Sequence, residues 1–256
     1  MIFSIATWNV NSLRVRLPHV QAWLGTSKPD VLALQEIKVT EADFPYDEIK
    51  AAGYQAVVSG QRTYNGVALL TRQPARDVLT DIPGLEDTQR RVLAATIGDV
   101  RVINLYVPNG ESVNSEKYQY KLNWLKHLHA WLKDEIKQHP KLVVLGDFNI
   151  APHNIDVYNP KAWEGQVLFS PPEREAFQGL LRLGLFDVFR VVHSDLQAFS
   201  WWDYRMNAYK RKMGLRIDHI LATEPLVKNC ERCIIDENPR ALERPSDHAP
   251  VAARFI

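Results

Sequence analysis

Nine short apolar runs recur along the chain: IFSIATW, VLALQEI, YQAVVS, GVALLT, VLAATI, RVINLYV, KLVVLGDF, RIDHILA and VAARFI. Each has the length and β-branched content of a strand, and many are followed by polar, Gly or Pro turn residues. Between some of them the period changes. Leu13, Leu17, Val20 and Leu24 repeat at helical spacing over 13–24, as do Tyr118, Leu122, Leu125, Leu128, Leu132 and Ile136 over 115–139. A third helix is expected over 171–183, with Pro171 at its start and Gly184 just past its end. Many strands with three or four helices mean a layered α/β fold. The runs across 54–107 follow one another without a helix between, which favours antiparallel or mixed sheets over a strictly alternating doubly wound sheet. No fixed-period repeat and no Gly/Ser/Pro-rich linker divides the sequence, so a single domain over residues 1–256 is expected.

Hydrophobic residues at 46% and charged residues at 24% place the chain among ordinary soluble globular proteins. Cys230 and Cys233 are the only cysteines. They predict no disulfide framework and fit a reducing cytoplasm; with no second ligand pair for zinc, they read as two half-buried strand thiols. The N-terminus lacks the basic segment and cleavage site of a secretory signal, and no apolar run reaches the roughly 18 residues that span a bilayer. A cytoplasmic protein with no membrane partner is expected. The formal net charge of +1 argues mildly against nucleic acid, yet residues 205–216 hold Arg205, Lys210, Arg211, Lys212 and Arg216 with no acid among them. That stretch reads equally as a solvated loop or as a phosphate-contacting one.

Polar residues close the apolar runs. Asn9 ends ATWN, Glu36 ends VLALQE, Tyr106 and Asn109 end INLYVPN, and Asp147 and Asn149 end VVLGDFN. Asp218 lies inside LRIDHIL, and Asp247 and His248 precede the last run. Any one of these could simply cap a turn. All of them together would be a costly accident, because desolvating an unpaired charge costs several kcal/mol or so. Carboxylate and amide oxygens suit a hard cation such as Mg²⁺ or Mn²⁺, with Glu36 as a holder and Asn9 and Asp247 as helpers. A hard cation beside an acid, an imidazole and a phenol is what phosphoester hydrolysis requires. Asp218 and His248 are candidate partners, the carboxylate fixing the imidazole's tautomer. His219 follows Asp218, so on a strand it points to the opposite face. His19, His127, His129 and His139 fall on or beside expected helices and read as surface residues. HExxH, GxxxxGK[ST] and GxSxG patterns are absent from the sequence.

Taken in order, TWNVNSLR, LQEIK, YNGVALLTR, NLYVPNG, GDFNIAP, GLRIDHIL and RPSDHAPV resemble the exonuclease III and apurinic/apyrimidinic endonuclease family, within the endonuclease/exonuclease/phosphatase superfamily. The resemblance covers residues 2–256. It implies a four-layered α/β sandwich, two mixed sheets packed face to face with helices outside. It implies Mg²⁺ or Mn²⁺ held chiefly by Glu36, with Asn9, Asn11, Asp147, Asn149 and Asp247 completing the set. His248, oriented by Asp218, would contact the scissile phosphate. Asp147 would act as base towards water or acid towards the leaving group. Asn149 and Tyr106 would donate hydrogen bonds to the phosphate, with Asn109 nearby. Trp201, Leu215 and Arg216 would wall the sugar pocket, and Arg205, Lys210, Arg211 and Lys212 would meet DNA phosphates. The implied substrate is double-stranded DNA with damaged or 3′-blocked ends, the implied activities 3′→5′ exonuclease, 3′-phosphatase and abasic endonuclease, and the implied state a monomer. In the segment GQVLFSPPER, relatives that cut at abasic sites usually carry Gly, Ser or Ala where this chain has Leu168; a crowded pocket there would weaken abasic incision and spare 3′-end work. Two rivals stay open: a superfamily phosphoesterase acting on an inositol or phospholipid headgroup, and a binding module that has lost catalysis.

Overall fold

The computed structural model describes residues 3–256; the first apolar run begins at Ile2, outside the described residues. Strands β1 (Phe3–Asn9), β2 (Val31–Gln35), β3 (Gln55–Ser59), β4 (Val67–Thr71), β5 (Ala75–Leu79) and β6 (Val92–Ile97) come first. β7 (Val100–Tyr106), β8 (Leu142–Asp147), β9 (Leu185–Asp187), β10 (Asp218–Thr223), β11 (Cys230–Ile235) and β12 (Val251–Phe255) follow. They form two six-stranded sheets, ordered β11-β12-β1-β2-β4-β3 and β5-β6-β7-β8-β10-β9. Each sheet is antiparallel except for one parallel pair near its centre, β1 with β2 and β7 with β8. Three long helices, α1 (Leu13–Ser27), α3 (Glu116–Gln138) and α5 (Pro171–Arg182), join short ones at α2 (Tyr46–Ala51), α4 (Pro160–Trp163), α6 (Val188–Val192) and α7 (Glu224–Val227).

Side-chain alternation builds the layers. Ile5, Val31, Leu69, Leu93, Val102, Val143, Ile220 and Val251 face into the space between the sheets. Their chain neighbours point outward: Ala6, Leu32 and Leu70 meet α1 and α2, while Ala94, Ile103, Val144 and Leu221 meet α3 and α5. Both faces of the central strands are covered, which is why those runs are continuously apolar. The result is the expected four-layered sandwich. The helix ends follow local chemistry. The Ser115 hydroxyl accepts the Tyr118 N–H to start α3. Ser170, Pro171 and Glu173 form a capping box with a proline at the first turn of α5.

Arg216 differs from its expected place. Only 1% of its side chain is exposed, and it is bound to two carboxylates: Nε to Asp156 Oδ1 at 2.6 Å and Nη2 to Asp187 Oδ2 at 2.7 Å. It braces the interior and presents no surface to a DNA phosphate, so it is not part of a pocket wall. Arg216 also donates to His219 Nδ1 at 3.0 Å. A guanidinium only donates, so Nδ1 accepts and the His219 Nε2–H bonds the Ile150 carbonyl at 2.8 Å. Burial and the Arg216 guanidinium push this imidazole's pKa down from 6.5 to about 4.

A pH dependence follows. The unfolded chain takes up a proton at this group near 6.5, whereas the folded one resists until about 4. Its contribution to stability is complete above 6.5 and lost as the pH falls towards 4, a change of about 3 kcal/mol at ~1.4 kcal/mol per pH unit. Melting temperatures measured across that window should fall, and His219→Gln should flatten the slope; an equally steep slope in the variant would refute the assignment.

Candidate active site

The inner-face alternation continues to one end of the two sheets, but there its residues turn polar. Asn9 ends β1, and Glu36 follows β2 with a left-handed φ of 49°. Tyr106 pairs in register with Asp147 across β7 and β8, and Asp147 pairs with Asp218 across β8 and β10. Asp247 and His248 arrive on the segment before β12. That segment is pinned: Trp8 Nε1 donates to the His248 carbonyl at 3.1 Å, and the Ser246 hydroxyl donates to the Asn9 carbonyl at 2.7 Å.

These residues form one connected array. Asn9 Nδ2 donates to Glu36 Oε1 and to Asp147 Oδ2, each at 2.9 Å. The Tyr106 hydroxyl donates to Glu36 Oε1 at 2.9 Å. Asp147 Oδ1 accepts the Asn149 N–H at 2.9 Å, and Asn149 holds φ at 50° to reach it. On the other side, His248 Nε2 stands 3.8 Å from Asp147 Oδ2, too far for a hydrogen bond. His248 Nδ1 meets Asp218 Oδ2 at 2.9 Å, and the Ser200 hydroxyl donates to that same oxygen at 2.7 Å.

Burial and neighbouring charge set the protonation states. Burial raises the Asp147 carboxyl; the His248 charge and Asn9 offset part of this, Asp218 and Glu36 add to it, and the pKa lies at about 7. Burial alone would lower the His248 imidazole, but Asp218 and Asp147 outweigh it and hold the pKa up at about 10. Burial also works against the Glu36 anion, yet Lys38 and Asn9 bring its pKa below the usual value. Burial with the Glu36 and Asp147 charges pushes the Tyr106 phenol well up, so it remains a donor.

The donor set suits a hard cation. Glu36 Oε2 and Asn11 Oδ1 already converge on one positive centre, the Lys38 ammonium, at 2.9 and 2.6 Å. Asp147, Asp218 and His248 also bring ligand atoms within 4.8 Å of one another. Asn9 differs from a ligand: its amide oxygen accepts the Asn11 N–H at 3.0 Å, so its NH₂ faces the carboxylates. Asp247 accepts from Asn11 Nδ2 and from Trp201 Nε1, both at 3.0 Å. Asn109 Nδ2 donates to Asn149 Oδ1 at 3.1 Å.

The outlying residues separate. Trp201 borders the array through Asp247, while Leu215 is fully buried behind it. Lys210, Arg211 and Lys212 line a groove with Trp202, Phe199 and Tyr209, and no member of the array is among its lining residues. Arg205 is exposed and pairs with Asp203 at 2.6 Å. Lys38 and Ser200 were not singled out from sequence. Lys38 stands in the quoted LQEIK, and a cation two residues past an acid was the available signal. Ser200 offers none, because its partner Asp218 is eighteen residues on.

A family model described as the endonuclease/exonuclease/phosphatase family matches residues 6–248, which span every member of the array from Asn9 to His248. The chain belongs to this family. Exodeoxyribonuclease III of Haemophilus influenzae is 37% identical over 262 residues, covering 97% of this chain and 98% of that protein. The structure of the 3′ phosphatase NExo from Neisseria bound to a product DNA hairpin is similar at a TM-score of 0.98 and 48% identity, with 99% of each chain covered. An AP endonuclease from Archaeoglobus fulgidus gives 0.96 and 40%, again with 99% of each covered.

The array of this family member makes a spectroscopic prediction. In metal-free protein, the His248 ring should stay protonated through neutral pH when followed by NMR. Asp218→Asn should lower its pKa by ~1–3 units. A ring that titrates near 6.5 in the wild type would contradict the geometry.

Proposed function

We propose that this chain is a divalent-metal-dependent nuclease that hydrolyses phosphate esters at the 3′ ends of DNA, releasing nucleotides or terminal phosphate. One observation carries the reading: Asn9 bridges Glu36 and Asp147 while a cationic His248 stands across a 3.8 Å gap from the same Asp147 oxygen. Glu36 and Asn11 would hold Mg²⁺ or Mn²⁺ where the Lys38 ammonium now sits. The chemistry such an ion supplies is neutralisation of charge on the phosphoryl oxygens. His248 presents Nε2–H to the phosphate, and Asp218 with Ser200 fixes that orientation. Asp147, with a pKa of about 7, takes a proton from water or returns one to the leaving oxygen at neutral pH. Tyr106, whose hydroxyl is given to Glu36, and Asn149, whose Nδ2 is given to the Val107 carbonyl, flank the same space and would turn as donors to the phosphate as negative charge develops. Exposed Lys210, Arg211 and Lys212 meet the flanking backbone phosphates.

Leu168 bears on substrate choice. It is 4% exposed and packs with Ala151, Val157, Phe169, Leu215 and Ile217, with Trp201 against the same cluster. Its φ of 75° is a conformation that favours glycine. A leucine held in a glycine-like backbone fills the side of the array next to Trp201, so internal abasic sites are poorer substrates than free 3′ ends.

Three duplexes, with a recessed 3′-hydroxyl, a 3′-phosphate and an internal abasic site, should be compared with and without EDTA. Turnover of both 3′-end substrates that EDTA abolishes is expected; EDTA-resistant or absent turnover overturns the reading. His248→Ala and Asp147→Asn should each lower kcat by ~10²–10⁴-fold. Asp147→Asn should also raise the melting temperature at pH 8, since burial disfavours this anion. Leu168→Gly should raise abasic incision by ~10- to 100-fold, the barrier equivalent of relieving ~1–3 kcal/mol of overpacking. No gain there removes Leu168 from the account of specificity.

A further inference from the structure

Beneath the loops that carry Asn109, Asn149 and Leu168 lies a lysine the chemistry above does not use. Lys121 on α3 and Glu173 on α5 form an ion pair whose side chains are both fully buried. Lys121 Nζ spends its protons on three acceptors: the Asn149 carbonyl at 2.7 Å, the Asn109 carbonyl at 3.0 Å and Glu173 Oε1 at 2.5 Å. Glu173 Oε1 also accepts the Leu168 N–H at 3.1 Å. Glu173 Oε2 accepts the Ser170 N–H at 3.1 Å, which closes the cap of α5.

The cap needs Glu173 but does not need Lys121. Desolvating the pair costs several kcal/mol or so per ion, and apolar side chains would pack the same space at less cost. What the ammonium adds is a junction. The Asn149 residue it grips by the carbonyl donates its own N–H to Asp147 Oδ1, and the Asn109 it grips donates Nδ2 to Asn149 Oδ1. Gly110 packs against the Lys121 stem, where an added Cβ would lie 3.2 Å from Cδ. One buried cation therefore ties the loop after β7, the loop after β8 and, through Glu173, the Leu168 backbone.

We infer that Lys121 and Glu173 are positioning residues that fix the Asp147–Asn149–Asn109 segment and the Leu168 wall in one geometry, so that the pair governs both turnover and the choice between 3′-end and abasic substrates. The inference rests on the proposed nuclease reading. Its mechanism is distance: misplacing donors or a proton-transfer group by about 1 Å costs ~10²-fold in rate.

The test compares Lys121→Met with Arg101→Met. The control removes a cation from another buried pair, Arg101 Nε to Glu135 Oε2 at 2.8 Å, at the opposite end of α3 from the site loops. Both variants should melt earlier than the wild type. On the 3′-phosphate duplex at saturating magnesium, Lys121→Met should lose ~10- to 100-fold in kcat with KM little changed, while Arg101→Met keeps its kcat. Wild-type kcat in a folded Lys121→Met overturns the inference, and so does an equal loss in Arg101→Met. If Lys121→Met fails to fold, Glu173→Gln carries the test: it retains shape and the lysine's two carbonyls but loosens the Leu168 and Ser170 amides. It should lower kcat and shift the ratio of abasic incision to 3′-phosphate release; neither changing sinks the inference. Wild-type turnover of the same duplex tests the nuclease reading separately. Were it absent, the variants would be compared on bis(p-nitrophenyl) phosphate, where the same kcat pattern is expected and its absence again overturns the inference.

Discussion

Asp147 is a carboxylate in a place that disfavours its charge. It lies at the end of a strand whose inner face is otherwise valine and leucine, with 1% of its surface exposed. Burial presses it towards the acid, and the His248 imidazolium and the Asn9 amide press it back. The surrounding arrangement follows from that contest. His248 must be charged to help, so it needs Asp218; Asp218 must be oriented, so it needs Ser200. Glu36 adds repulsion, which Lys38 and Asn9 temper. The outcome is a group that changes protonation near neutrality, where a proton-transfer residue is most useful.

Register makes the contest possible. In β1, β7, β8 and β10 the residues of one parity fill the space between the sheets, and Asn9, Tyr106, Asp147 and Asp218 continue that parity to the strand ends. One-residue slips would turn these side chains towards the outer helices. The two parallel pairs end their strands at the same edge, so four carboxyl-terminal strand ends converge there from both sheets. Gln35 and Asn104 bond across the gap just below, Nε2 to Oδ1 at 2.8 Å, and hold the sheets in step under the array.

Much of this was legible in the residues. The runs read as strands became β1 to β4, β6 to β8, β10 and β12, and the three periodic stretches became α1, α3 and α5. The strands absent from those runs, β5, β9 and β11, are all sheet edges. Edge strands carry charges that discourage further pairing, as in ARDVL and CERCII, and this dilutes the apolar signal. The polar strand ends were visible as residue types, but which atoms meet was not. Arg216 looked like part of a basic surface stretch, because the carboxylates that claim it lie 60 and 29 residues away in sequence. Lys121 carried no signal in the sequence, because its carboxylate partner Glu173 lies 52 residues away.

The pairing of β1 with β12 brings two segments that are distant in sequence together at the reactive centre. Asn9 and His248 stand on neighbouring segments, although 239 positions separate them along the sequence. No stretch released early from the ribosome contains both halves of the array, and closing so long a loop is among the slower steps a chain makes. The array is therefore complete only once β12 has paired with β1, and a variant without β12 lacks the strand beside the imidazole.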